Sequence, residues 1–537
     1  MGFGITLADK WARPLVLSWG VRRLALAALM GALSALAFPP FGLFPVLWLT
    51  LPSYLWLLDS AYSGTRGKLG RRWLNFFYVS LAFSTALFVA SLWWIAEAFL
   101  VEADKYAWMI PLAVLGLPLV LALIPAIITA SISFLWRLNA SRFFVFIIAL
   151  ALADFARATL FTGFPWNLWS AVFAENVYLL QFLSIGGTYS LSALVLFIFS
   201  APAAFINVVP YKAKLINYCA LASLIALWGF GYSRVTSTGD IVELPVEITV
   251  IQPNIAQKDK WAPAMRDKLL PLYLELTQKA LLSTDPKQKQ VVIWPESVFP
   301  FVLTQTPEAL QKIAKTLPPN AVLVAGAIRV QRNENTVRYY NSVYALDTDA
   351  NIIDVYDKVH LVPFGEYLPY GNFLTSLGVK KLVSLPEDFS PGLSYRPIKL
   401  SGDLSFQPLV CYEAIFPETR LNVTQRPDFI ANLTNDAWFG SSAGPYQHLS
   451  LAKMRAVEQG IPLVRAANTG ISAAIDIHGN ILEKLEVETR GFFTVHPVKY
   501  NGATLYARWG NYIFGVVILG FVSFLLVIEG LLPTRRD

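Results

Sequence analysis

Gln407-Pro408-Leu409-Val410-Cys411-Tyr412-Glu413 is the stretch on which the reading of this chain turns. The run Gln407 to Cys411 has the composition of a short buried β-strand, so its terminal cysteine stands where side chains emerge from a sheet. Two further islands lie upstream. Val291 to Trp294 is a second β-rich run and closes in Trp294-Pro295-Glu296, while Ile352 to Tyr356 is a third and leads into Tyr356-Asp357-Lys358-Val359-His360. Three strand ends thus supply a thiol, a carboxylate and an amine. A thiol is a weak nucleophile until it loses its proton, and a carboxylate within hydrogen-bond reach can take that proton. A nearby lysine can hold the negative oxygen that forms when the sulfur attacks a carbonyl. Cys411, Glu296 and Lys358 are therefore candidates for nucleophile, base and oxyanion partner.

Around these islands, from about Ser233 to Trp509, the chain alternates short β-rich runs with amphipathic helices. The strands expected are Val246 to Gln252, Val291 to Trp294, Ala321 to Val330, Asn341 to Leu346, Ile352 to Tyr356, Gln407 to Cys411, Phe429 to Leu433 and Ser472 to Ile477. Asp349-Ala350-Asn351 and His478-Gly479-Asn480 have the composition of hairpin turns. Helices are expected at Pro263 to Leu282, Pro307 to Lys315 and Pro445 to Gln459. Mixed elements of this kind make one α/β layered domain of roughly 270 residues.

That domain is bracketed by charge-free runs. Of the 537 residues, 55% are hydrophobic and only 15% charged, a balance that points to a membrane protein. Measured against the ~20 residues a spanning helix needs, the runs Leu24 to Leu58 (broken at Pro39-Pro40-Phe41-Gly42), Trp73 to Ala96, Tyr106 to Trp136, Phe143 to Leu160, the stretch after Asn176 ending near Val209, and Leu215 to Tyr232 give seven helices. Tyr512 to Ile528 gives an eighth. The basic residues fix an orientation, because short loops rich in Lys and Arg stay in the cytoplasm. With the N-terminus inside, Lys10, Arg13, Arg22, Arg23, Arg66, Lys68, Arg71, Arg72, Arg137, Arg142, Lys212, Lys214, Arg535 and Arg536 are cytoplasmic, and the short outer segments hold only Lys105. The expected organisation is a membrane domain over 1–232, an extracytoplasmic catalytic domain over 233–511, and a final helix with a short cytoplasmic tail over 512–537.

Other functional classes fare worse. The net charge of +7 comes from those loops, where membrane orientation accounts for it better than nucleic-acid binding does. Cys219 lies inside an apolar run, so a disulfide with Cys411 is not expected. His360, His448, His478 and His496 lack metal-ligand spacing, and Gly186-Gly187 has no following lysine to make a phosphate loop; no metal and no cofactor are expected. A cleavable signal peptide is not expected either, since no small-residue cleavage site follows a short apolar core.

Taken in order, the Trp-Pro-Glu, Tyr-x-Lys and Cys-Tyr-Glu islands resemble the carbon-nitrogen hydrolase, or nitrilase, superfamily. The likeness is closer to its apolipoprotein N-acyltransferase family, through His360-Leu361-Val362-Pro363-Phe364-Gly365-Glu366-Tyr367, Asn435-Asp436-Ala437-Trp438-Phe439-Gly440, Met454-Arg455-Ala456 to Glu458, and Thr162-Gly163-Phe164-Pro165-Trp166. One departure is Asp154-x-x-Arg157, where the family pattern would have glutamate before the arginine. The two charges stand one helical turn apart, where they can simply neutralise each other.

The resemblance implies a polytopic helical membrane domain of about eight spans joined to an αββα nitrilase-like sandwich, in a bacterial inner membrane with the sandwich on the periplasmic face. It implies a catalytic set of Glu296, Lys358 and Cys411, with Glu366 and Glu413 orienting that set or the substrate, Tyr412 beside the nucleophile, and Trp261 in a loop that gates lipid. The implied reaction is the last step of lipoprotein maturation. An acyl chain leaves a glycerophospholipid, with phosphatidylethanolamine the expected donor, for Cys411, and passes as an amide to the α-amino group of an N-terminal diacylglyceryl-cysteine. The protein is expected to act as a monomer. Two rivals use the same residues differently: a membrane-tethered amidase or nitrilase that hydrolyses a small C–N bond, and a transporter or structural protein whose outer domain is inactive. Ammonia release would mark the first, and an unlabelled Cys411 the second.

Overall fold

The computed structural model describes residues 7–65, 68–206, 208–237, 241–260, 262–334, 336–371, 376, 388–400, 402–417 and 426–530. They fall into two compact units. One draws on 1–96, 108–237 and 509–537, and the other on 97–107 and 238–508.

The first unit is helical. Among the described residues five helical stretches, Gly20–Ala37, Leu69–Leu100, Ala103–Leu135, Leu183–Phe205 and Pro210–Thr236, are long and apolar enough to cross a bilayer. The three remaining runs read from the sequence are also helices, but they fall short of that standard. Leu47–Ser63 has 17 residues, Ser141–Thr159 carries Arg142, Asp154 and Arg157, and the apolar part of the last helix is Tyr512–Val527. Burial sorts the helices. Leu183–Ser200 is enclosed along nearly its whole length, whereas Pro210–Thr236 turns Leu215, Tyr218, Leu221, Ile225 and Trp228 outward, as a lipid-facing helix does. The last helix packs Phe514 against Phe155 and Tyr189, and Phe521 against Phe197.

Among the described residues, two buried ion pairs stitch this unit. Arg142 donates through Nε to Asp59 Oδ2 at 3.0 Å and through its other nitrogens to the carbonyls of Asn139, Ala203 and Ile206. Trp136 Nε1 donates to the other Asp59 oxygen at 3.0 Å, so both charges are satisfied. Asp154 and Arg157 do pair, at 3.5 Å, but each also binds the following loop. Arg157 donates to the carbonyls of Phe164 and Trp166, both at 2.7 Å, and Asp154 accepts from the Trp169 N–H at 2.9 Å.

The second unit is a four-layer sandwich. One six-stranded sheet runs, edge to edge, Gly491–Val495, Glu247–Gln252, Gln290–Ile293, Ala321–Asn333, Thr336–Leu346, Ile352–Asp357; the other runs Ile481–Leu485, Ser472–Ile475, Leu463–Ala467, Phe429–Thr434, Ser405–Val410, Ile398–Lys399. In each sheet the three central strands are parallel and the outer ones antiparallel. Central strands of this kind are buried on both faces, which is why they read as continuous apolar runs. Val291 and Ile293 join Phe406, Val410, Ala431 and Val464 between the sheets. Val292 and Trp294 point the other way, to Leu270, Tyr273, Leu276 and Ile313 on helices Arg266–Leu281 and Pro307–Thr316. Leu409, Ile430 and Leu463 meet Leu449, Ala452 and Ala456 of helix Ala443–Gln459. The layers are thus helix, sheet, sheet, helix.

Both expected hairpins form, with Ala350 (φ 65°) and Gly479 (φ 84°) supplying the positive-φ residue. Strand Leu463–Ala467 is absent from the strands expected above. It carries Arg465 at its centre, a residue that apolar patterning does not assign to the middle of a sheet.

Candidate active site

Strand Ser405–Val410 is in register with Phe429–Thr434 and ends at Cys411, which opens a 3₁₀ turn over Cys411–Ile415. The backbone there leaves the sheet abruptly. Cys411 has φ 50°, a conformation uncommon for a side-chain-bearing residue, and it swings the half-buried thiol off the strand end. Burial pushes the thiol up to about 12; the Glu296 charge adds to this, while the Lys358 charge and a hydrogen bond with Thr434 oppose it. At rest the sulfur therefore holds its proton.

Glu296 follows the end of strand Gln290–Ile293 in the other sheet. The neighbouring strand hugs this turn: the Gly326 N–H donates to the Pro295 carbonyl, and a Cβ on Gly326 would come within 2.6 Å of the Glu296 Cα. Glycine is required there by space. Glu296 Oε1 accepts from Asn341 Nδ2 at 2.7 Å and lies 3.9 Å from Lys358 Nζ. Its Oε2 accepts no hydrogen bond from the described residues, so one carboxylate oxygen stands ready for a proton. Asn341 Nδ2 also donates to Glu366 Oε1 at 2.8 Å, and the Val362 N–H donates to Glu366 Oε2 at 2.8 Å.

Lys358, 1% exposed, stands just past strand Ile352–Asp357 and lies 2.9 Å from Glu366 Oε2. Burial alone would weaken its hold on a proton. The charges of Glu366, Glu296 and Cys411 outweigh that and keep the ammonium above its ordinary range. Glu413 joins the two loops: Oε1 accepts from the Val359 and His360 N–H groups and from the Tyr356 hydroxyl, and Oε2 from the Val410 N–H at 2.7 Å. Burial pushes its carboxyl up to about 7, although these donors and Lys358 pull it back. Tyr412 is buried with its ring against His360 and Phe416. Glu296, Lys358, Cys411, Glu366, Glu413 and Tyr412 are thus brought to one place, whereas Trp261 lies outside the described residues.

Other groups here lie outside the site residues that the resemblance implies. Lys260, 3% exposed, ends the short helix Gln257–Lys260 and donates to the Glu296 carbonyl at 3.1 Å. Beneath the nucleophile, His448 Nε2 lies 3.1 Å from the Cys411 carbonyl and Nδ1 lies 2.9 Å from Asp436 Oδ1, while Arg465 Nη2 holds Asp436 Oδ2 at 2.5 Å. Cys411, Asp436 and His448 offer donor atoms within 4.8 Å of one another, but they make a poor cation site. Asp436 gives both oxygens to Arg465, His448 and Thr434, and Arg465 Nη2 sits 3.1 Å from His448 Nδ1. The Arg465 guanidinium thus already engages two of the three groups.

The family models and the sequence relatives agree on one family. Residues 247–507 match the carbon-nitrogen hydrolase model, and residues 30–201 match the apolipoprotein N-acyltransferase N-terminal domain. The chain is 38% identical over 533 residues to the apolipoprotein N-acyltransferase of Rhodopseudomonas palustris, covering 97% of this chain and 98% of that protein. It is 40% identical to that of Brucella melitensis, over 90% of this chain and 91% of the relative. A solved amidase from Nesterenkonia is similar to 52% of the chain, with 18% identity, 99% of that chain covered and a TM-score of 0.35. Near-complete coverage at this identity, together with a match in both the helical and the sandwich parts, means that the chain belongs to the apolipoprotein N-acyltransferase family.

Proposed function

We propose that this protein moves an acyl chain from a glycerophospholipid to the α-amino group of the N-terminal diacylglyceryl-cysteine of apolipoproteins, through a thioester on Cys411. Support comes from one observation above the rest: Glu296, whose Oε1 is held by Asn341 while its Oε2 accepts no hydrogen bond from the described residues, and Lys358, with an ammonium held charged, both act electrostatically on the Cys411 thiol. Because that thiol is protonated at rest, its proton leaves as the sulfur attacks the ester carbonyl, and Glu296 receives it. Lys358 holds the oxyanion of the tetrahedral intermediate. As the C–O bond breaks, Glu296 returns the proton to the departing lysophospholipid alkoxide. In the second half Glu296 takes a proton from the incoming amine, the C–N bond forms, and the C–S bond breaks to restore the thiol. Glu366 fixes the Lys358 ammonium, Glu413 ties the Lys358 loop to the Cys411 turn, Tyr412 flanks the sulfur, and Trp261 gates lipid.

The same reading gives the protein eight spans with both ends cytoplasmic, a membrane domain over 1–232, a sandwich over 233–511 on the periplasmic face of the inner membrane, and a last helix over 512–537. It takes phosphatidylethanolamine as donor, works as a monomer, and binds neither nucleic acid nor cofactor. The decisive experiment is intact-mass measurement of the full-length protein after incubation with phosphatidylethanolamine. An added acyl mass is expected, absent in Cys411→Ala and discharged by a diacylglyceryl-cysteine peptide. An adduct on another residue, or ammonia release from small amides without an adduct, would overturn the assignment.

A further inference from the structure

The Gln257-Lys258-Asp259-Lys260 turn looks like a solvated run of charges, and Lys258 and Asp259 are indeed exposed. Lys260 is not: its ammonium is enclosed, 3.1 Å from the main-chain oxygen of Glu296. A buried amine is costly unless it is paired, so its presence beside a reactive carboxylate needs a reason. The segment carrying it is braced against the opposite sheet. Gln257 Oε1 accepts from Asn435 Nδ2 at 2.7 Å, and the Ile255 N–H donates to Asn468 Oδ1 at 3.0 Å. The helix end therefore delivers the amine to a fixed place against the Glu296 main chain, where the charges of Glu296 and Cys411 act on it.

We infer that Lys260 is a positioning residue of the acyl-transfer site, its ammonium clamping the Glu296 main chain and stabilising the thiolate form of Cys411. The inference deepens the function proposed above and rests on it. Two cations would then share the work: Lys358, locked to Glu366, serves the oxyanion, and Lys260 serves the sulfur at the moment Glu296 removes its proton. The other groups acting on the thiol are Glu296, Lys358, Asp436 and Thr434, with Glu413 one step behind. Burial lowers Lys260 to about 8, so its charge can be switched off within an accessible pH range.

The test is alkylation of Cys411 by iodoacetamide in full-length protein in detergent, in a Cys219→Ser background because Cys219 is exposed. Alkylation needs no lipid substrate, so its outcome is independent of whether acyl transfer is the right reaction. At about pH 7 Lys260→Met is expected to react about tenfold more slowly than the parent, the effect of one lost neighbouring charge. At about pH 10, where the parent amine is also uncharged, the two rates should converge. Lys260→Gln keeps a donor for the Glu296 carbonyl without the charge and should behave like Lys260→Met. A parent rate profile with no inflection that the Met and Gln substitutions remove, or a wild-type rate in both variants at neutral pH, would overturn the charge role; full rescue by Gln alone would reduce Lys260 to a hydrogen-bonding strut.

Discussion

Arg142 in the helical unit and Lys358 in the sandwich are both buried cations, each 1% exposed, yet they are held in opposite ways. Arg142 is saturated, every guanidinium nitrogen facing an acceptor and its partner Asp59 taking a second donor from Trp136. Lys358 holds one carboxylate oxygen closely, Glu366 Oε2 at 2.9 Å, and reaches Glu296 only at 3.9 Å. A closed network fixes structure, whereas one with spare hydrogen-bonding capacity can receive charge that develops later. Buried charge therefore means different things in the two units, and what separates them is valence left over.

The largest expected effect follows from removing that spare capacity. Lys358→Met and Glu296→Gln should each slow acyl-adduct formation by about 10³, or ~4 kcal/mol in barrier height, and Glu296→Gln should do so with little change in melting temperature. Pulsed mass spectrometry measures the rate. A Glu296→Gln protein that acylates at the wild-type rate would remove Glu296 from the base role.

Arg142→Met should do the reverse. Leaving Asp59 buried without its partner is expected to cost about 3–5 kcal/mol of stability, read as a fall in the detergent melting temperature, while any molecules still folded should form the adduct normally. Replacing Asp59 with Asn in the same chain should recover part of the loss, because the stranded charge goes with it. If the single substitution left the melting temperature unchanged, the contrast between the two units would fail.

Much of the sandwich was legible because its central strands are apolar on both faces and end in chemically distinct residues; Cys411, Glu296 and Lys358 each terminate or follow such a run. The supporting residues were legible only in part. Glu366 and Glu413 came from family resemblance, while Lys260 was hidden because a four-residue charged helix looks the same whether its last side chain faces water or a carbonyl. Arg465 hid a whole strand. Its partners Asn432 and Asp436 lie some thirty residues away, and nothing in the local pattern says that a guanidinium in mid-strand will be met there. Helix Ser141–Thr159 shows the same limit in the helical unit, since Arg142 finds Asp59 and Asp154 finds the Trp169 N–H, partners that sequence spacing does not reveal.

The smallest effect concerns Glu413, whose closed set of donors makes it the sandwich's nearest counterpart to Asp59. Burial nevertheless raises its carboxyl from 4.5 to about 7, so the folded state prefers the protonated form. The sign follows directly: the stabilising contribution is complete below about pH 4.5, the unfolded value, and is lost as pH rises through about 7. The loss amounts to at most ~3.5 kcal/mol, since each tenfold change in proton affinity is worth about 1.4 kcal/mol. Asp436 runs the other way, because Arg465 and His448 overcome burial and hold it below its ordinary 3.8, so its contribution fades only as pH falls below that value. Between about pH 4.5 and 7 the two windows are separate, and Glu413→Gln should remove a downward slope in melting temperature with rising pH that the parent protein shows. If parent and variant have parallel profiles across that interval, the four donors to Glu413 have cancelled its burial, and the carboxylate is as fully settled as Asp59 beside Arg142.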